Sequence, residues 1–285
     1  MINKAQGRRQ FLQLAGAGAA ASLAGSNISL GQRRRSTGRR AGKPLFQLGL
    51  ASYTLKEFNL DETLAMTKKV GLKYICFKSF HLVMDSTPAQ IEATVAKVNE
   101  AGLTLYGGGV IGMKKEDQVH QAFDYAKAAG MKVIVAGPSP EMLTLIEKKV
   151  RQYDIKVAIH NHGPGDRFFP TPAVALKQIK NLDKRIGMCH DIGHTKRYGS
   201  DPIAETELCA DRLHDVHIKD VSAATKEGKG VEIGRGIIDI PRFIRTLVRM
   251  KYAGIVSLEY EKDADDPLAG LAESVGYVKG VIAAI

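Results

Sequence analysis

Eight short apolar runs, each followed by a longer amphipathic segment, succeed one another from Phe46 to the end of the chain. A pattern of this kind reads as repeated βα units, which build a parallel sheet covered by helices. The apolar runs place strands at 46–53, 74–80, 103–110, 132–137, 156–162, 186–192, 213–220 and 255–261. Between and after them the 3.6-residue periodicity predicts helices at 61–70, 88–101, 116–129, 140–152, 171–180, 201–210, 239–251 and 267–284. Asp61 with Glu62, Thr87 with Pro88, and Asp239 with Pro241 supply N-terminal helix signals.

The count of eight decides the architecture. A (β/α)8 barrel needs about 250 residues, and the segment 44–285 supplies them as one domain. An open doubly wound sheet would want a glycine-rich phosphate loop after its first strand. Residues 51–60 contain no glycine, and Gly107-Gly108-Gly109 is not a GxGxxG.

Charge is distributed unevenly. The formal net charge is +11, yet residues 1–43 carry nine Lys/Arg and no acid, leaving 32 bases against 30 acids in the rest. A body of about +2 lacks the basic footprint of nucleic-acid binding, so no nucleic-acid partner is expected. The basic head reads Arg8-Arg9-Gln10-Phe11-Leu12 and runs into the apolar stretch Leu14–Ala24. It resembles a twin-arginine export signal, and the apolar stretch is shorter than the roughly 20 residues that span a bilayer. Residues 1–43 are therefore expected to be signal and basic linker, and the mature protein is expected in the periplasm without a transmembrane anchor. Cys76, Cys189 and Cys209 form no CxxC pair, so no disulfide framework is expected. Cys76 and Cys189 fall in apolar runs and read as small buried hydrophobes.

In a (β/α)8 barrel the active site forms at the C-terminal ends of the strands. Four predicted strands end in unusually polar sequence: His160-Asn161-His162, His190-Asp191-Ile192-Gly193-His194, His217-Ile218-Lys219-Asp220 and Glu259-Tyr260-Glu261. Strand alternation places His160 with His162 on one face, Asp191 with Cys189, His217 with Asp215 and Lys219, and Glu259 with Ser257 and Glu261, while His190 faces the helices. His160, Asp191, His217 and Glu259 can then converge from four adjacent strands. Two imidazoles and two carboxylates suit a divalent ion such as manganese, cobalt, zinc or iron. Lys78, at the end of the second strand with His81 beyond it, is a further catalytic candidate, because an inward lysine can polarise a carbonyl or act as a base when desolvated. Lys219 and Glu261 are candidate substrate contacts.

Asp191-Ile192-Gly193-His194, His217-Ile218-Lys219-Asp220, Gly234-Arg235-Gly236 with Asp239, and Tyr252-Ala253-Gly254 leading to Glu259 together resemble the xylose-isomerase-like TIM-barrel superfamily. This is the sugar phosphate isomerase/epimerase group that also contains inosose dehydratase and endonuclease IV. The likeness covers residues 46–285. In its ketose 3-epimerases the metal is held by Glu, Asp, His and Glu from strands five to eight, and the last three fall on Asp191, His217 and Glu259. The resemblance also makes His194 a substrate contact, Arg235 a lid or substrate-contact residue, and Glu259 an acid/base. Where the epimerases carry the strand-five glutamate, this chain has His160, which can keep a metal but cannot repeat two-glutamate proton transfer.

The expected function is that of a sugar or keto-sugar isomerase or epimerase, abstracting a proton beside a metal-bound carbonyl or hydroxyl, with Glu259, His160, His162 and Lys78 as proton-transfer candidates. A dehydratase or lyase on a 3-keto sugar or inosose is the alternative, and an exported sugar-binding barrel without catalysis is the second. The export reading has a direct check. Replacing Arg8 and Arg9 by lysine is expected to hold the precursor in the cytoplasm on cell fractionation, and undiminished export would exclude a twin-arginine route.

Overall fold

The computed structural model describes residues 44–285, and the predicted signal and linker lie outside the described residues. Seven parallel strands come first: β1 (Gln47–Ala51), β2 (Tyr74–Phe77), β3 (Thr104–Met113), β4 (Val133–Pro138), β5 (Lys156–His160), β6 (Ile186–Asp191) and β7 (Leu213–Ile218). A two-stranded hairpin of β8 (Asp220–Val221) and β9 (Gly230–Val231) follows, and then β10 (Ile255–Leu258) pairs with both β7 and β1 to close the barrel. Eight parallel strands thus form a closed barrel in chain order, as the eightfold pattern requires.

The helices on its outside are α1 (Leu60–Lys69), α2 (Pro88–Glu100), α3 (Glu116–Ala128), α4 (Leu143–Tyr153), α5 (Pro172–Ile179), a short α6 (Ile192–Arg197), α7 (Pro202–Leu208), α8 (Ile240–Arg249) and α9 (Leu268–Ala283). Local sequence starts several of them. Asn59 accepts from the amide of Glu62 while Glu62 returns to the amide of Asn59, and Thr87 with Gln90 repeats this reciprocal cap ahead of Pro88. Burial then holds them. In α8, Ile240, Phe243, Ile244, Leu247 and Val248 recur at helical spacing and are all buried against the barrel. No described helix is long and apolar enough to cross a membrane.

Strand alternation divides the core in two. Outward residues such as Ile75, Phe77, Ile134, Ile159, Met188 and Val216 join the helices in the larger cluster, whereas Cys76, Tyr106, Val133, Val135, Ala158 and Cys189 pack together inside the barrel. Tyr106 reaches across that interior, donating to Asp215 Oδ2 at 3.0 Å and meeting Ser257 Oγ at 2.5 Å. The three cysteines are free and buried.

Several strand ends depart from the sequence reading. The seventh barrel strand stops at Ile218 rather than running to Asp220, and the eighth stops at Leu258, short of Glu261. Asp220 is fully buried, and its carboxylate accepts the amides of Val221 at 2.9 Å, Gly234 and Gly236 at 3.0 Å, and Ile238 at 3.1 Å. One side chain therefore ends the strand and gathers the loop that follows it. Gly236 fits because a Cβ there would lie 2.2 Å from Asp220 Oδ1. Charge-assisted bonds of this kind are individually strong, so Asp220→Ala is expected to cost about 3 kcal/mol. The melting temperature should fall by roughly 10 °C. A shift within about one degree would show that the loop holds itself without the carboxylate.

Candidate metal centre and active-site cavity

Each of the four predicted metal-ligating residues reaches the same end of the barrel. His160 closes β5, Asp191 closes β6, His217 is the fifth residue of β7, and Glu259 follows β10 with its amide still bonded to Ile218 O at 3.1 Å. Strand register sets Asp191 beside His217 and His217 beside Ser257. The possible ligand atoms of all four lie within 4.8 Å of one another, and all four residues are buried. His160 Nε2 stands 3.1 Å from His217 Nδ1 and 3.5 Å from Asp191 Oδ2, and His217 Nδ1 stands 3.3 Å from Glu259 Oε2.

The strand backbones are braced from behind. Asn161 accepts the Asp191 amide at 2.9 Å and donates to the Asp191 carbonyl at 3.1 Å, locking β5 to β6 at their ends. His190 faces the helices as alternation predicts, between the hydroxyls of Thr206 and Thr195 at 2.8 Å each. Asp191 spends Oδ1 on the amide of His194 at 2.7 Å, where it caps α6, and turns Oδ2 into the cluster.

Burial and charge set the protonation states. Desolvation drives His160 down to about 3, leaving a neutral imidazole with a lone pair to offer. Burial works against the charged form of His217, but Glu259 outweighs it with help from Asp215 and Asp191, so its pKa rises. Desolvation opposes ionisation of Asp191 and Glu259, yet Lys219 holds both carboxyls below the usual carboxylate range. The Lys219 Nζ lies 2.8 Å from Asp191 Oδ2 and 2.6 Å from Glu259 Oε2, and it also contacts Glu261.

The donor set fits a divalent ion. Two ionised carboxylates and a neutral imidazole point at one place, and Asp191 Oδ2 meets Lys219 as a charge without hydrogen-bond geometry. His160, Cys189 and His217 form an overlapping group of donors, but burial pushes the Cys189 thiol well up and away from the thiolate a metal would need. The carboxylate-containing set is therefore the better candidate. Below it, Asp215 is raised by burial to about 6 and remains bonded to Tyr106.

Above the cluster lies a cavity of about 220 Å³. Lys78, His160, His162, His194, Glu259 and Glu261 supply its polar wall, and Tyr53 and Val110 complete it. Lys78 donates to the Val110 carbonyl at 2.5 Å, and burial lowers its pKa against the opposing pull of Glu259. His194 is lowered by burial as well. His162 Nδ1 is 3.4 Å from Asp166 Oδ2. Burial acts to raise Asp166, but His162 and the amides of Phe169 and Phe168 prevail and bring it down to about 2. Gly163 makes the turn beyond His162 at φ 69°, where a Cβ would stand 2.6 Å from His194 O.

Arg235 does not line this cavity. It pairs with Glu273 on α9, its Nη2 lying 2.7 Å from Oε2 at the exposed surface, so the predicted substrate contact is absent from the described cavity wall. Sequence reasoning missed Tyr53, Val110, Asn161 and Asp166. Tyr53 ends the first predicted strand and was open to the same strand-end logic, whereas Asp166 acts through a loop whose path has no sequence periodicity.

The xylose isomerase-like TIM barrel family matches residues 52–281. Among curated proteins, the rhizopine catabolism protein MocC of Rhizobium meliloti is 26% identical over 136 residues, covering 42% of this chain and 41% of that protein. The putative L-ribulose-5-phosphate 3-epimerase SgbU of Escherichia coli is 27% identical over 94 residues, covering 31% of this chain and 33% of its own. The matched part thus spans less than half the length of these relatives. Among solved structures, the 3-keto-D-glucoside 4-epimerase YcjR of E. coli superposes with a TM-score of 0.67 at 18% identity, covering 82% of this chain and 99% of that one. At that identity the likeness shows the fold.

The ligand assignment is open to a metal assay. His217→Ala protein is expected to purify with most of its divalent metal lost, against about one ion per wild-type chain, because removing one donor usually costs most of the affinity. Full stoichiometry in folded variant would move the ligand set elsewhere.

Proposed function

The chain belongs to the xylose isomerase-like TIM barrel family, and on that premise we propose that it is an exported, metal-dependent enzyme that isomerises or epimerises a sugar or keto sugar by moving a carbon-bound proton. The observation that carries this reading is the convergence of His160, Asp191, His217 and Glu259 beneath a polar cavity whose wall holds further titratable groups. A sugar-binding barrel has no need of such a cluster, since burying two carboxylates is costly unless they are paired or metal-bound.

A divalent ion at these four residues would supply Lewis acidity, making the proton beside a substrate carbonyl easier to remove. The chain's own residues do the rest. With Nδ1 turned to Asp166, His162 keeps Nε2 as the nitrogen that can accept and return a proton. His160 is committed to the donor cluster through Nε2, which makes His162 the better acid/base of the two. Lys78 and His194 also line the cavity and can donate to substrate oxygens. Glu259 remains the carboxylate at the family's acid/base position, restrained as a base by its low pKa.

The exchange of the strand-five glutamate for His160 favours one second reading, a dehydratase or lyase on a 3-keto sugar or inosose. Both begin with the same proton removal, and product structure separates them. A screen of ketoses, inososes and 3-keto-glycosides with metal-loaded protein in deuterated water is expected to place solvent deuterium at a product carbon. His162→Gln protein that keeps its metal should lose roughly a hundredfold or more in kcat. Normal turnover in both His160→Gln and His162→Gln would show that the proton-transfer group lies elsewhere.

A further inference from the structure

His162 stands between two cavities. On one side is the inner cavity over the metal-ligand cluster; on the other is a larger opening of about 700 Å³ bounded by Lys114 after β3, Gly137 and Pro138 at the end of β4, and the loop 164–169. Gly137 marks the junction. A Cβ built there would meet Val110 Cγ1, in the inner wall, at 3.6 Å and His162 Cε1 at 4.0 Å, both ordinary contacts. Its backbone is also free of the positive φ that forces glycine at Gly163. Neither strain nor a close approach of main chain accounts for the missing side chain, and the space it leaves lies between Val110 of the inner wall and His162, which lines both cavities.

The inner cavity, at about 220 Å³, is smaller than most ligand sites, which run from about 300 to 1,000 Å³. Joined to the outer one it comes within that range. The outer wall has the chemistry of a ring platform. Phe168, half-buried, carries the Arg167 guanidinium 5.3 Å from its ring centroid, and Pro138 and Pro164 add apolar surface. Lys114 and Arg167 are donors, whereas the Asp166 carboxylate is taken up by His162 and the amides of Phe168 and Phe169. Apolar faces edged by donors to hydroxyl oxygen suit a neutral sugar ring. A phosphate would call for a buried cation or converging amides, and both cations here are exposed.

We propose that the substrate is a two-ring glycoside of a keto sugar, with the reacting ring in the inner cavity and the second ring against Phe168 in the outer one. The inference rests on the keto-sugar reading above. Calorimetry on the metal-loaded full-length mature protein would compare 3-keto-glucose, 3-keto-trehalose and fructose 6-phosphate. The two-ring probe is expected to bind about tenfold or more tightly than the one-ring probe, and Gly137→Val should reduce that advantage to about threefold or less. Phe168→Ala, checked for folding by circular dichroism, should reduce it too and serves if the valine variant does not fold. Equal affinity for one and two rings, a phosphate ester that binds as tightly as the two-ring probe, or an advantage unchanged in the folded variants would each overturn the proposal. Failure of all three probes to bind would instead overturn the keto-sugar reading, and this inference with it.

Discussion

Two carboxylates, Asp191 and Glu259, are buried at the mouth of the barrel, and the surrounding structure is arranged to tolerate them. An ionised carboxylate leaving water loses far more than any single contact returns. Lys219 meets both, and the raised pKa of His217 reflects the same negative field. With Glu261 also on Lys219, acidic groups still outnumber the one ammonium. Under the proposed function that imbalance suits a further cation; it pulls His217 toward protonation, while burial keeps His160 neutral.

Holding such a cluster requires rigid backbone. The barrel supplies it through parallel ladders, but the ends of strands fray unless something pins them. Asn161 bonds both backbone groups of Asp191, His190 lies between two threonine hydroxyls outside the barrel, and Asp220 draws four amides onto one carboxylate. Each sits within three residues of a proposed ligand. Polar residues at the strand ends therefore divide into those that face the cavity and those that hold the strand, and alternation decides which is which.

Much of this was legible because the controlling rules are periodic. The eight strands follow from recurring apolar runs, and the inward set of His160, Asp191, His217 and Glu259 follows from a two-residue repeat. What escaped has no period. The short α6 after Asp191, the hairpin at Asp220, and the approach of Asp166 to His162 depend on loop paths, which side-chain contacts far apart in sequence determine. Arg235 shows the converse. Its motif made it a lid or substrate-contact residue, and Glu273, brought near only by the packing of α9, holds it at the surface away from the cavity wall.

Replacing a glutamate by His160 alters both charge and chemistry under the proposed function. The site loses one negative charge and gains a nitrogen donor, which moves its preference from hard, oxygen-loving ions toward zinc, cobalt or iron. It also loses a carboxylate that could carry a proton. The loop immediately after β5 offers a replacement in His162, whose Nδ1 faces Asp166 and whose ring lines the cavity without being buried in the cluster. An imidazole oriented by a carboxylate and still open to solvent can exchange its proton, whereas His160, buried and neutral, cannot readily do so. Ligation and proton transfer, which one glutamate combines in the related epimerases, would here be divided between two histidines on the same face of one strand end.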